Sequence, residues 1–547
     1  MAELSEDDLR WTHQRYIANK GSLHALHRET GMSRSTLRQR LRKAKATLGL
    51  EWETPISGGQ VNARKVDRRA LPKTGSVKRY ICTGAQNNTD AFTEWFTNLS
   101  AFAEHMDAEI LCAQFTYNKG SYGGKSVKPG RGPTAADTAE LWYDPIFDPY
   151  IVDGPIELAP TLVFSANMNI LPTAARPLSS YQTHTGLKST IIPHAKLAMQ
   201  SVAGTKSDGA KFLYTTGAST LRNYIQKNAG IKAEHHHAYA ALVVEVESDG
   251  TWFVRQLNGG EDGSFYDLEV HVSDGTVNEG HTVEAITWGD IHAEVSDPEV
   301  MSLAFDKGGI LDQLKPREQF VHDAVDFRAR NHHEVKNPHT MFKRFTEQTD
   351  TVQEELERVV DTFKRMHRDW CITVAVDSNH DRALERWLQE ADFKTDPANA
   401  LFFLRCQLAI YEAINDGVDD FHIVRDTLQK LGLGPDVLFL GLDDSYVICT
   451  DDNGMGGIEC GMHGHIGPNG SRGSPLGLSK MGRKANTGHT HSATIMDGLY
   501  VAGTFTRLSL NYNKGPSSWS HTFIVTYENG KRTLVTIQNG QWRAENK

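Results

Sequence analysis

No apolar run in this chain approaches the roughly 20 residues needed to cross a bilayer, which excludes a helical membrane protein and predicts no membrane partner. Cysteine is scarce. The six that occur (Cys82, Cys112, Cys371, Cys406, Cys449, Cys460) include no Cys-x-x-Cys pair. Neither a disulfide framework nor a thiolate metal site is expected, and the thiols read as buried and reduced. The N-terminus is acidic and polar and lacks the apolar segment of a signal peptide, so the expected location is cytoplasmic. Repeats and low-complexity tracts are also missing. Basic residues are outnumbered, 58 against 68 acidic, for a net charge of -10. That excludes nucleic-acid binding by the whole surface, although the charge is unevenly spread.

What is present is a chain of 547 residues, too long for one ordinary domain. We divide it into a small all-α unit at 1–50, a polar linker at 51–78, an α/β domain of unknown type at 79–280 and a second α/β domain at 281–547. The first fifty residues reverse the overall charge: between Arg28 and Lys45, the basic residues Arg28, Arg34, Arg38, Arg40, Arg42, Lys43 and Lys45 face one acid, Glu29. Periodicity predicts helices over Glu6–Asn19 (Leu9, Tyr16, Ile17), Ser22–Thr30 (Leu23, Leu26) and Ser33–Leu48 (Leu37, Leu41, Leu48), with Gly31-Met32 as the turn and Ser33 as N-cap. A short helix, a glycine turn and an Arg-rich helix form the pattern of a helix-turn-helix, whose second helix enters the major groove. Arg34, Ser35, Arg38 and Arg42, with Gln39 beside them, would then meet duplex DNA; the alternative is a small basic helical cap with another role.

Five short stretches in the second half concentrate histidine and carboxylate: Gly289-Asp290-Ile291-His292, Asp323-Ala324-Val325-Asp326, Asn379-His380-Asp381, His463-Gly464-His465 and Gly488-His489-Thr490-His491. With 24 histidines in the chain, any one block is weak; the ordered set is not. Hydrolysis of a phosphate ester needs charge neutralised on the phosphoryl oxygens and a hydroxide generated near neutral pH, and two divalent ions about 3.5–4 Å apart supply both. Nitrogen and oxygen donors without thiolate suit manganese, iron or zinc. The blocks also sit where such sites form. Glu284–Trp288, Gln319–His322 and Trp370–Val376 read as strands running into the first three blocks, and open α/β sheets collect ligands beyond the carboxyl ends of their strands. Arg382–Glu390 has helical periodicity, with Leu384, Trp387 and Leu388 on one face.

The ordered blocks resemble the calcineurin-like metallophosphoesterase superfamily, with its pattern GDxH, GDxxD, GNH(D/E), H, GHxH, over about residues 281–510. The resemblance implies an α/β sandwich for 281–547 and two divalent ions, manganese first and iron or zinc as alternatives. It implies that Asp290, His292 and His491 hold one ion, that Asn379, His463 and His489 hold the other, and that Asp323 bridges them. His463 is favoured over His465. His380 would protonate the leaving oxygen, with Asp381 as its orienting partner. His322 and Ser378 stand where the pattern has glycine, departures expected to alter loop backbone more than ligation. The superfamily includes Mre11-type nucleases and phage proteins implicated in DNA degradation or transfer, and the fused helix-turn-helix favours the phage kind, acting in the host cytoplasm.

Elsewhere the sequence says less. Strand, helix and strand are expected at Arg79–Thr83, Asp90–His105 and Ala108–Phe115. Gly120–Ser126 imitates a phosphate-binding loop but lacks a residue between its glycines and a helix after it, so no nucleotide site is expected. His235-His236-His237 reads as a solvated loop. The basic stretch Arg328–Lys343 reads equally as a phosphate contact or a solvated loop. Helices are expected between Ala398 and Leu431, and a β-rich end with a hairpin turn at Asn529-Gly530. The leading function is a metal-dependent DNA nuclease. The alternatives are a phosphatase or small-molecule phosphodiesterase with a basic accessory N-terminus, and a DNA-binding scaffold without turnover. Self-association is left open.

Overall fold

A computed structural model of the chain describes residues 5–19, 23–50, 66–117 and 142–545, in two compact units. No helix among the described residues is long and apolar enough to cross a membrane.

The N-terminal unit has three helices, α1 (Glu6–Ala18), α2 (Leu23–Thr30) and α3 (Arg34–Leu48), close to the expected bounds. Ser5 forms a capping box with Asp8 at the start of α1, and the Ser33 hydroxyl accepts the Thr36 N–H at the start of α3. Gly49 ends α3 in the left-handed conformation. Tyr16, Leu23, Leu26, Leu37 and Leu41 form the core. Ile17, expected on the inner face, is 58% exposed, because Leu9, Thr12 and Tyr16 set the buried stripe of α1. The opposite face of α3 presents Arg38, Gln39 and Arg42. Arg34 and Ser35 lie in the first turn of that helix.

The large unit is mixed α/β and built on four sheets. A six-stranded sheet runs in the order Val437–Phe439, Ile372–Ala375, Glu318–Val321, Ala285–Thr287, Thr522–Thr526, Arg532–Thr536. Its first four strands are parallel and its last two antiparallel. Side chains alternate between its faces. Ile286, Val321 and Ala375 enter a core roofed by helices that include Val352–Met366, Ala383–Glu390 and Ile423–Lys430. Ala285, Phe320, Val374 and Val376 face Ile448, Ile458 and Cys460, in or beside strands of an eleven-stranded sheet. This is sheet-on-sheet packing with helices outside. The hairpin joining the last two strands turns at Gly530, where φ is +70°. All six cysteines are free and most are buried.

Two boundaries drawn from sequence are corrected. The eleven-stranded sheet takes strands from both sides of residue 280, Met199–Val202 pairing directly with Thr494–Met496. The shared apolar core likewise mixes Tyr80, Leu111, Phe164 and Leu242 with Tyr500, Ile524 and Leu534. Residues 79–280 and 281–547 are therefore one packed body. The linker, of which 51–65 lie outside the described residues, ends within that body: Asp67-Arg68 pairs in parallel with Ile156-Glu157, and Arg69 is ion-paired with Glu109. The expected strand–helix–strand is present as Lys78–Gln86, Thr93–His105 and Ala108–Phe115. The loop Gly120–Ser126 lies outside the described residues. The histidine triple is not a solvated loop: Asn228–His236 is a helix, and His237 is buried with both ring nitrogens bonded.

Candidate metal centre

The three parallel strands Ala285–Thr287, Glu318–Val321 and Ile372–Ala375 end side by side, and the first three blocks are the loops beyond them. The pairing of the first two continues past the strands: Ile291, His292 and Ala293 donate backbone N–H bonds to His322, Asp323 and Ala324 at 3.0, 2.7 and 3.1 Å. The fourth and fifth blocks follow Gly456–Glu459 and Lys484–Thr487 of the eleven-stranded sheet, and Gly488 N–H binds His463 O to join them. Close approach demands glycine at 488, since a Cβ there would lie 2.1 Å from Asp290 Oδ1. His292, Asp323, His489 and His491 all have positive φ, from +42° to +72°. Left-handed backbone at four such residues is strain concentrated in a functional region.

Asp290, His292, Asp323 and His491 each place a donor atom within 4.8 Å of the others, all four buried, and such a group could hold a metal ion. His491 Nε2 is 2.9 Å from Asp290 Oδ2, and His292 Nε2 is 3.3 Å from both Asp323 Oδ2 and His491 Nε2. His463 Nε2 lies 3.2 Å from Asp323 Oδ2. Yet Asp290 Oδ2, Asp323 Oδ1, His463 Nε2 and His491 Nδ1 are buried and make no hydrogen bond. Of these, Asp290 Oδ2 and His463 Nε2 are atoms that meet others of the cluster, and a cation satisfies buried polar atoms left without a hydrogen bond. The donor set therefore fits a metal.

The electrostatics leave both carboxylates and three of the imidazoles in ligand form. Burial opposes the charge on Asp290, but His463 and His491 outweigh it and hold its carboxyl at about 2. Asp323 is likewise held well below the carboxylate range, His463 and His380 outweighing burial. Burial, reinforced by His463, depresses His465 and His489 to about 4, and burial lowers His491. Ionised carboxylates and neutral imidazoles are what a divalent cation binds. His292 and His463 are raised instead: burial lowers them, but their carboxylate neighbours, Asp323 foremost, win.

His463, 2% exposed and against Asp323, is the inner member of its block; His465 is half-buried beside it. His489 is half-buried with its ring 5.1 Å from that of His463. Asn379 is exposed on the turn before His380. His380 packs edge-on to His292 at 4.6 Å, and its Nδ1 is 3.1 Å from Asp326 O and 3.5 Å from Asp326 Oδ1.

Two readings change. Asp381 does not orient His380: its Oδ1 accepts Val325 N–H at 3.1 Å and its Oδ2 bonds Ser378 Oγ at 2.8 Å, so it ties the second loop to the third. Ser378 builds that turn, its hydroxyl also accepting Asp381 N–H. His322 is no mere change of loop backbone. It is fully buried, with Nδ1 3.4 Å from His463 Nδ1. Sequence reasoning also gave no role to Asp326, which contacts both His292 and His380; its place in the repeated carboxylate block was the available signal. Tyr512 and Trp519 flank the site unforeseen, the Trp519 ring 4.2 Å from that of His491 and Tyr512 5.8 Å further along. In the stretch Arg328–Lys343, Arg330 is bound to Asp396 at 2.6 Å, and a helix begins at Pro338.

Fold and site thus define a mixed α/β protein with a buried aspartate–histidine cluster of metal-binding composition. Comparison with known proteins finds Protein A1 of Escherichia phage T5, 40% identical over 480 residues that cover 85% of this chain and 83% of that protein. The chain belongs to the family of that phage protein. No family model matches the sequence, and no solved structure matches it.

Proposed function

We propose that this protein is a metal-dependent phosphodiesterase acting on DNA, a nuclease of the metallophosphoesterase type. The observation that carries the reading is the buried convergence of Asp290, His292, Asp323 and His491, with His463 against Asp323. In this reading Asp290, His292 and His491 would hold one divalent ion, His463, His489 and Asn379 would hold a second, and Asp323 would serve both. Manganese is the first choice, with iron or zinc as alternatives. When bound, the ions neutralise charge on the phosphoryl oxygens and acidify a water toward neutral pH.

The chain's own residues do the rest. Asp326 accepts from His292 Nδ1 and so turns the Nε2 lone pair to the centre. Turning Nδ1 toward Asp326 leaves Nε2 of His380 to carry the proton for the departing alkoxide. Asp381 and Ser378 hold the loops that present them. The exposed Arg38 and Arg42, with Arg34 and Ser35 at the head of the same helix, supply the contacts to duplex DNA. The buried donor cluster favours turnover over a scaffold, and the basic helix favours DNA over a small phosphate ester.

Plasmid, single-stranded DNA and a small aryl phosphodiester, each with manganese and with chelator, test this. DNA cleavage that requires manganese and is abolished by Asp323→Asn is expected. Cleavage of the small ester alone supports the phosphodiesterase alternative, and unimpaired turnover by Asp323→Asn overturns the metal assignment.

A further inference from the structure

The helix Ala400–Asn415 is apolar on both its inner and its outer face. Its inner face buries Phe402, Phe403, Cys406, Ala409 and Ala413. Its outer face carries Leu401, Leu404, Leu408 and Tyr411, each between 46% and 66% exposed. A helix that is hydrophobic all round is ordinarily buried all round, and contiguous apolar patches on a surface mark interaction sites. The outer residues follow one another at intervals of three, four and three, the spacing of a helix–helix seam in which Leu401 and Leu408 take one core position and Leu404 and Tyr411 the other. At about 1.5 Å per residue the stripe is roughly 15 Å long.

The helix has only two charged residues, Arg405 and Glu412. Both are exposed on the same edge of the stripe, seven residues apart. We propose that the C-terminal part of this face, from Leu404 on, is covered by the same stretch of a second copy of the chain, the two helices running antiparallel across a two-fold axis. In that arrangement Leu408 of each copy packs in a layer with Tyr411 of the other, and Arg405 of each copy lies beside Glu412 of the other. One self-complementary patch then yields two identical ion pairs, as an isologous interface requires. Parallel helices would instead set Arg405 and Glu412 against the partner's Ala400 and Gln407 edge, which has no charge to offer. A partner of one dominant charge would leave one of the two residues opposed by its own sign.

Sedimentation equilibrium of the full chain, with and without chelator, tests the proposal. A dimer is expected. Leu404→Glu with Leu408→Glu should make it monomeric while leaving circular dichroism and the melting temperature near wild type, since both side chains point outward. Arg405→Glu alone should weaken the dimer by on the order of 10-fold, and adding Glu412→Arg should restore it by exchanging the charges. A wild-type chain that is monomeric at tens of micromolar overturns the proposal. So does a dimer indifferent to the leucine substitutions, or a charge reversal that Glu412→Arg fails to rescue.

Discussion

His292 and Asp326 are joined across 34 residues of chain, Nδ1 to Oδ1 at 3.1 Å, both buried. The contact decides which imidazole nitrogen faces the centre. It is the carboxylate–histidine pairing that fixes tautomer and orientation in metal sites.

Asp326→Ala should therefore weaken metal binding by about 10–100-fold without removing any donor atom proposed to touch the ion. Titration calorimetry with manganese on the metal-free protein measures it. An unchanged affinity would mean that His292 is oriented by its backbone alone.

His380 has two readings that one experiment separates. It belongs to the proton-transfer apparatus proposed above, yet with His292 and Asp326 it also forms a second group able to hold an ion. His380→Ala should keep its metal, measured by elemental analysis, while the rate falls by about 10²–10⁴. Metal lost together with activity makes it a ligand.

Deleting residues 1–50 should leave hydrolysis of a small phosphodiester intact, because the whole donor cluster lies in the other unit. Binding to duplex DNA should weaken and its salt dependence flatten, by about 0.9 in log–log slope for each phosphate that the shortened chain no longer neutralises. Superimposable salt series for the full and shortened chains would remove DNA recognition from the basic helix.

Away from the centre, two buried histidines set a pH dependence of stability. His194 accepts Lys196 N–H at Nδ1 and gives its Nε2 proton to Leu171 O. His237 accepts the Tyr224 hydroxyl and gives its Nε2 proton to Thr220 O. Neither can take a second proton without losing a bond, and burial depresses them to about 4 and about 3. The unfolded chain binds protons at an ordinary histidine pKa while the folded chain does not. Their contribution is thus intact above about pH 6.5 and shrinks as the pH falls toward 4, by on the order of 3 kcal/mol per histidine. Urea unfolding midpoints of the metal-free protein should drop across that window. His237→Gln, which keeps a donor and an acceptor, should show a shallower drop, and equal slopes would refute the assignment.

Local features of the site were legible in the sequence; its distant partnerships were not. Trp370–Val376 announces a buried strand because β-branched residues run unbroken to a polar block, and the strand Ile372–Ala375 lies inside it. Leu384, Trp387 and Leu388 are buried as their spacing requires. Asp381 was mistaken because adjacency in sequence suggested contact with His380, whereas its side chain turns to Val325 and Ser378. His237 looked solvated because nothing nearby in sequence reveals Tyr224 and Thr220 as its partners. The boundary at 280 failed for the same reason. The pairing of Met199 with Ile495 joins residues nearly three hundred positions apart and leaves no local trace.

That pairing makes the large unit indivisible at the level of the gene. A fragment beginning at residue 281 would carry every proposed ligand, yet Thr494–Met496 would become a bare strand edge, stripped of the Met199–Val202 partner and of the strands beyond it. An open edge recruits other chains. Ile524 and Leu534, now packed with Tyr80 and Leu242, would be uncovered with it. Residues 66–280, whatever else they do, are the other half of this unit's interior.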